Sequence, residues 1–358
     1  MKQLQVSFNN VPEQYIEAKK EIDLAIASVL ESGQCIAGER EAFFDDFLAA
    51  HTNMTYSEGA AGVGSGTMAV MLALLAVGVK PGDEVIVPSL TFIGTVDPIV
   101  NIGAVPVFVD VNETYHIDPA LIERAITQKT KAIIAVDIYG QSCNIEVIKC
   151  IAYHYELKLI VDGAHSFGVS NTTLPDLVTY SFNPVKNFGA LGDAGAVVGR
   201  TPYVDIVKQL RNHGRDSNNK FKLVGHNARL DNLQAAVLIA KLPYLFRWNL
   251  RRKIIAKMYD EGLSGVVETP IKLGDHIYYC YVIQTDNRDQ LIKHLKSKGI
   301  ETKIHYTPCH HYPSMVKYKD KDLPWTDLYS ERMLSIPIHS SMTDEQVNYV
   351  IEQVRAGV

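Results

Sequence analysis

Between residues 84 and 199 short apolar runs alternate with helical patterns. "EVIVP" (84–88), "VPVFVDV" (105–111), "KAIIAVD" (131–137), "LKLIVD" (157–162), "VTYSF" (178–182) and "GAVVG" (195–199) are brief and rich in β-branched residues. That is the pattern of strands covered on both faces. Between the second and third runs, Asp118-Pro119 offers an N-cap followed by a proline at the first helical position. Before the fourth run, Ile148, Ile151, Ala152 and Tyr155 trace one helical face. Strand and helix in alternation predict a large, mostly parallel, three-layer α/β/α domain.

Past about residue 245 the texture changes. "WNLRRKIIAKMYDEGL" predicts a connecting helix, "IYYCYVIQT" a strand, Arg288 to Lys298 a helix stopped by Gly299, and "IETKIHY" another strand. Thr343 with Gln346 three residues on is a capping box that opens the last helix. The expected organisation is a large domain over residues 20–245 and a small C-terminal α/β domain over residues 246–358, with residues 1–19 packed against the small one. No repeat or low-complexity linker separates them.

Composition narrows the function classes. The 358 residues are 47% apolar and 21% charged, the balance of a soluble globular protein with a sizeable core. A net charge of −5 and a pI near 6.2, without a basic stripe, argue against nucleic acid or an acidic membrane as partner. The opening "MKQLQVSFNN" has no apolar signal core, and the longest apolar run, Ala69 to Val79, is about half a bilayer span. Cys35, Cys143, Cys150, Cys280 and Cys309 are odd in number and widely spaced. They read as reduced thiols of a cytoplasmic protein, with no zinc site.

Three elements carry chemistry. Lys186 lies in "SFNPVKNFGALGDAG" (181–195), a flexible loop between two strands. Desolvation at the sheet would lower its pKa toward that of a Schiff-base nucleophile, whereas a lysine at a loop tip would stay solvated. Gly189, Gly192 and Gly195 are expected to let the backbone pass close to a cofactor. Asp162 ends the strand "LKLIVD", with His165 following. It either caps the turn or, at the carboxyl end of a central strand, keeps a pyridine nitrogen protonated. "GVGSGTMAVMLALLAVGV" places glycines and Thr67 ahead of an apolar helix, an N-terminus open to a phosphate. As a dinucleotide fingerprint it is weak, because the following "EVIVPS" ends without the acid that would hold a ribose.

In this order, and together with "RNHGRD", "GHNARLDNLQAAVL" and "KIHYTPCHHYP", these elements resemble the sugar aminotransferases of the DegT/DnrJ/EryC1/StrS family over essentially the whole chain. The resemblance implies a fold-type-I enzyme that uses pyridoxal 5'-phosphate. It makes Lys186 the lysine that binds the cofactor covalently and then moves protons, and Asp162 the partner of the ring nitrogen. His165 falls beside the ring hydroxyl, Phe92 on the ring face, and Gly66, Thr67 and Ser181 on the phosphate. Asn227 matches a residue that reaches the phosphate of a neighbouring subunit, which implies a homodimer with shared sites. Arg229, His305 and Tyr306 match positions that contact the sugar or the amino donor. A related dehydratase would carry histidine in place of Lys186.

The implied reaction passes an amino group from L-glutamate to a keto carbon of a nucleotide-linked sugar. The helix "WNLRRKIIAKMYDEGL" resembles that of members acting at C3. "HYTPCHHYP" departs from the "HYPxPxH" of many 3-keto-sugar members. A 4-keto sugar, a cyclitol ketone and a small phosphorylated keto compound therefore stay open as acceptors. The rival of another class is a non-catalytic, cofactor-binding regulator.

Overall fold

A computed structural model describes residues 4–9, 11–51, 58–169, 175–319 and 322–358. Seven strands form one sheet: β1 (Glu58–Val63), β2 (Glu84–Pro88), β3 (Val105–Val109), β4 (Thr130–Val136), β5 (Lys158–Asp162), β6 (Leu177–Ser181) and β7 (Gly195–Arg200), in the order β1-β7-β6-β5-β4-β2-β3. Neighbours run parallel except at β7, which is antiparallel to both β1 and β6. The strands from β2 onward are the six apolar runs. β1, "EGAAGV", carried no such signal because its positions are filled by glycine and alanine.

The period of two sorts these strands onto two cores. Val85, Val87, Ile134 and Ile160 face one side with helix Gly66–Ala76. Ile86, Ile133, Leu159 and Val161 face the other with helix Ile145–His154. The result is three layers, α/β/α, with both sheet faces covered. Asp118 caps a single turn, Pro119–Ile122, where its carboxylate accepts from the Ala120 N–H at 2.9 Å.

The C-terminal part holds a two-stranded antiparallel sheet of β8 (Tyr281–Gln284) and β9 (Met333–Ile336). Here the sequence expectation needs correction. "IETKIHY" is not a strand, since Ile300 bridges to Val6 and Lys303 to Ser335, so successive residues meet different partners and no ladder forms. "IYYCYVIQT" is a strand only in its second half. Ile277 and Cys280 give their N–H groups to the carbonyls of Gly140 and Tyr139, outside any ladder. The helix Arg288–Ser297 and the capping box of Asp344–Gly357 fall where expected.

One 32-residue helix, Asn232–Leu263, runs through the place where the sequence changes texture. Its first half buries Ala235 and Leu238 against the sheet, and its second half buries Ile255, Ala256, Tyr259 and Leu263 in the C-terminal core. Val6 joins that C-terminal core, whereas Ala18 packs with Val237 of the helix's first half. The cysteines are free thiols. Among the described residues no helix is long and apolar enough to cross a membrane.

Candidate active site

β4, β5 and β6 end side by side, and beyond their carboxyl ends opens a cavity of about 490 Å³. Gly66, Thr67, Phe92, Asp162, His165, Ser181, Lys186, His305 and Tyr306 all line it. Asn227 and Arg229 do not. Asn227 is exposed, and its Oδ1 accepts from Arg229 Nη2 at 2.8 Å, while Arg229 Nη1 donates to Asn212 Oδ1 at 2.9 Å.

At one end of the cavity helix Gly66–Ala76 begins. Its N-cap, Ser65, uses Oγ to accept from the Met68 N–H at 3.2 Å. The N–H groups of Gly66 and Thr67 have no intrahelical carbonyl to meet and, among the described residues, are free for an anion. A Cβ on Gly66 would come within 2.6 Å of Ser181 Cβ, so only glycine brings this helix end against the end of β6.

Asp162 is buried at the last position of β5. Its Oδ2 accepts from Thr95 Oγ1 at 2.7 Å and its Oδ1 from the Ala164 N–H at 3.1 Å. Thr95 has spent its proton on the carboxylate, so in the 2.9 Å contact with Thr91 it is Thr91 that donates. Burial pushes the Asp162 carboxyl up, against the pull of Thr95, Ala164 and the charge of Lys186. The residue caps a turn and also faces the cavity, so the two roles are not exclusive.

Lys186 projects over the ring of Tyr279, with Nζ 4.5 Å from the centroid. Among the described residues no hydrogen bond holds that Nζ, and burial lowers the ammonium to about 8 while Asp162 opposes the shift. His165 accepts the Tyr139 N–H on Nδ1 at 3.2 Å. The proton of the neutral ring therefore sits on Nε2, which meets Tyr306 Oη at 3.2 Å. Burial first, then Lys186 and His305, hold His165 well below its usual pKa and therefore neutral. The Tyr306 ring centroid lies 5.7 Å from that of Phe92 and 6.1 Å from that of His165.

The lysine loop is fixed from outside. Asn187 Nδ2 donates to Asn249 Oδ1 and to the Ile277 carbonyl, both at 3.2 Å, and the Gly189 carbonyl accepts from Lys241 Nζ. The expected role of the loop glycines is corrected here, because Gly189, Gly192 and Gly195 do not line the cavity. An added Cβ would strike Asn183 O at 2.6 Å, Gln234 Nε2 at 2.9 Å and Ser65 C at 2.5 Å, respectively. Gly189 and Gly192 let the loop fold tightly on itself and against Gln234, and Gly195 packs against the helix start that lines the cavity.

Sequence reasoning missed several lining residues. Tyr279, read only as part of a strand, stacks on His165 with centroids 4.2 Å apart and lies beneath Lys186. Its backbone is pinned by Arg252, whose Nη1 donates to the carbonyls of Tyr278, Tyr279 and Ile338 at 3.1, 3.4 and 2.6 Å. Thr95, Asn183, Asp193, Asn9 and Lys303 also line the cavity. Only Asp193 had a signal, as the acid closing the lysine loop, where it accepts from Asn183 Nδ2 at 3.1 Å.

An amine without a hydrogen-bond partner, a buried carboxylate at a strand end, and a helix N-terminus with free N–H groups share one cavity. These fit the aldehyde, ring nitrogen and phosphate of pyridoxal phosphate, and with the sheet order they define a fold-type-I pyridoxal-phosphate enzyme. A family model for the DegT/DnrJ/EryC1/StrS aminotransferase family matches residues 16–355, and the chain belongs to that family. It is 38% identical over 374 residues, 99% of this chain and 100% of the other, to the "Erythromycin biosynthesis sensory transduction protein EryC1" of Saccharopolyspora erythraea. It is 35% identical over 364 residues, 98% of this chain and 95% of the other, to the dTDP-3-amino-3,4,6-trideoxy-alpha-D-glucose transaminase of Streptomyces venezuelae. The solved structure of NtdA from Bacillus subtilis with bound cofactor PMP matches at 31% identity and a TM-score of 0.93, covering 98% of this chain and 84% of that one. The protein is a pyridoxal-phosphate-dependent sugar aminotransferase.

Proposed function

We propose that the protein transfers an amino group from L-glutamate to the keto carbon of a nucleotide-linked sugar, with a 3-keto sugar as acceptor. The observation that carries the transfer is the unpaired Lys186 amine facing Asp162 across the cavity. The relatives' transaminase names support the sugar and its C3 position. Pyridoxal phosphate, when bound, supplies an electron sink. With the cofactor in place, Lys186 Nζ would be the base positioned to take a proton from the reacting carbon and to give one back. Asp162 would hold the ring nitrogen protonated and so keep its own charge. Nε2–H of His165, which meets Tyr306 Oη, would be the donor nearest the ring hydroxyl, and Gly66, Thr67 and Ser181 would hold the phosphate.

The test offers L-glutamate with a dTDP- or UDP-linked 3-keto sugar, a 4-keto sugar, a cyclitol ketone and a small phosphorylated ketone. Amino sugar and 2-oxoglutarate should form in equal amounts with the 3-keto nucleotide sugar. Turnover confined to the cyclitol or the small phosphate would replace this acceptor. Inertness toward every ketone would favour a regulator.

We infer further that the working unit is a homodimer with shared sites. What supports this is Asn227, exposed and away from the cavity of its own chain, in a segment that also exposes Phe221 (65%) and Val224 (94%). Lys186→Ala and Asn227→Ala chains should each be poor catalysts as homodimers. Mixed dimers should regain one site, built from Lys186 of one chain and Asn227 of the other. An absence of recovery after proven subunit exchange, or an active monomer on sedimentation, would remove the shared site.

A further inference from the structure

The N-terminal segment reaches the cavity along a defined path. The Val6 N–H donates to the Gly299 carbonyl at 2.9 Å, the Val6 carbonyl accepts from the Glu301 N–H at 3.0 Å, and the Phe8 N–H donates to Glu301 Oε2 at 2.9 Å. This seats the Phe8 ring, 4% exposed, at 5.4 Å from the His305 ring, and carries Asn9 to the cavity wall. Lys303 is held from the other side, its backbone exchanging both hydrogen bonds with Ser335. Its Nζ lies 4.9 Å over the Phe8 ring.

Of the other charged groups lining the cavity, Asp162 and Lys186 act on each other, and Asp193 keeps its charge while accepting from the neutral amide of Asn183. Lys303 pairs with no carboxylate among the described residues, and the nearby Glu301 carboxylate is engaged by the Phe8 N–H. The neighbouring His305 is no anion either. Burial holds its ring at about 4, neutral, with Nδ1 turned to Ser335 Oγ at 2.9 Å. The cavity wall at Asn9, Lys303 and His305 therefore offers an exposed ammonium with no carboxylate partner among the described residues, and an amide beside it, on segments other than those that would hold the cofactor phosphate.

We propose that Lys303, with Asn9 beside it, is an anion subsite for the reacting substrate, taking a phosphate of the acceptor or a carboxylate of the amino donor. The ring of Phe8 orients the ammonium, a contact of a kind that favours a cation without neutralising it. The subsite rests on the aminotransferase reading above and adds to it the recognition of substrate charge.

The experiment uses holoenzyme of the parent chain, Lys303→Gln and Lys303→Arg. Two arms are read: the half-reaction with L-glutamate, followed by absorbance of the bound cofactor, and inhibition of that half-reaction by dTDP and by inorganic pyrophosphate. Lys303→Gln should weaken at least one arm by about tenfold, the lower range for losing a charge-assisted hydrogen bond. Lys303→Arg should restore it, and cofactor affinity should not move. A shift in the glutamate half-reaction assigns the subsite to the donor carboxylate, and a shift in the dTDP and pyrophosphate constants assigns it to the acceptor phosphate. If neither arm responds, or if cofactor affinity falls together with both, the subsite is overturned. A parent enzyme that processes glutamate but aminates no keto sugar would overturn the acceptor instead, with the Lys303 comparison still readable.

Discussion

Alanine at Lys186 is expected to leave a folded protein that binds pyridoxal phosphate only reversibly and has lost catalysis. Losing a positioned proton carrier alone costs roughly two to four powers of ten, and the missing covalent attachment adds to that. The fold should survive because no hydrogen bond to Nζ is lost, and the loop stays tied through Asn187 and Gly189. In the parent chain, borohydride reduction followed by peptide mapping should find the cofactor on Lys186. A label on Lys241 or Lys303 would sink the assignment. The pH dependence follows from the lowered ammonium. Capture of the cofactor needs the free amine, so its rate in apoprotein should rise with pH and level off above about 8, well short of the range of an ordinary lysine. A rise that continues toward pH 10 would mean that the amine is not desolvated as described.

Asp162→Asn is expected to keep the fold and much of the cofactor while lowering turnover by roughly two to three powers of ten, the usual loss for removing a preorganised charge. Asparagine still presents one oxygen to Thr95 or to the Ala164 N–H, which limits the structural damage. The carboxylate's charge, the feature that favours a protonated ring nitrogen, is gone. Steady-state kinetics beside a thermal melt separates the two effects. Near-normal turnover would reduce Asp162 to the cap of its turn.

The sheet was legible because each central strand is buried on both faces and must be apolar at every position, as Val85 to Val87 are. β1 was not, since a strand of glycine and alanine has no pattern to read. The failure at "IETKIHY" is of another kind: its residues have strand propensity but no continuous neighbour, and propensity does not supply one. In the site, Lys186, Asp162 and the helix start at Gly66 could be found because each pairs an unusual residue with a local element. Tyr279, Lys303 and Asn9 belong to the cavity only through tertiary packing, so nothing adjacent to them in the chain announces it. Of the loop glycines, Gly195 packs against the helix start that lines the cavity, while the close neighbours of Gly189 and Gly192 are Asn183 and Gln234.

The long helix Asn232–Leu263 gives the reacting amine a single frame of reference. Lys241 and Asn249, on its buried side, hold the loop behind Lys186, and Arg252, three residues further, holds the backbone of the ring beneath it. The floor of the cavity is therefore held from one helix, whereas Asn9, Lys303 and Tyr306 arrive on segments that meet that helix through the C-terminal core. Evolution can redraw those outer walls for a new sugar and leave the amine at the same coordinates.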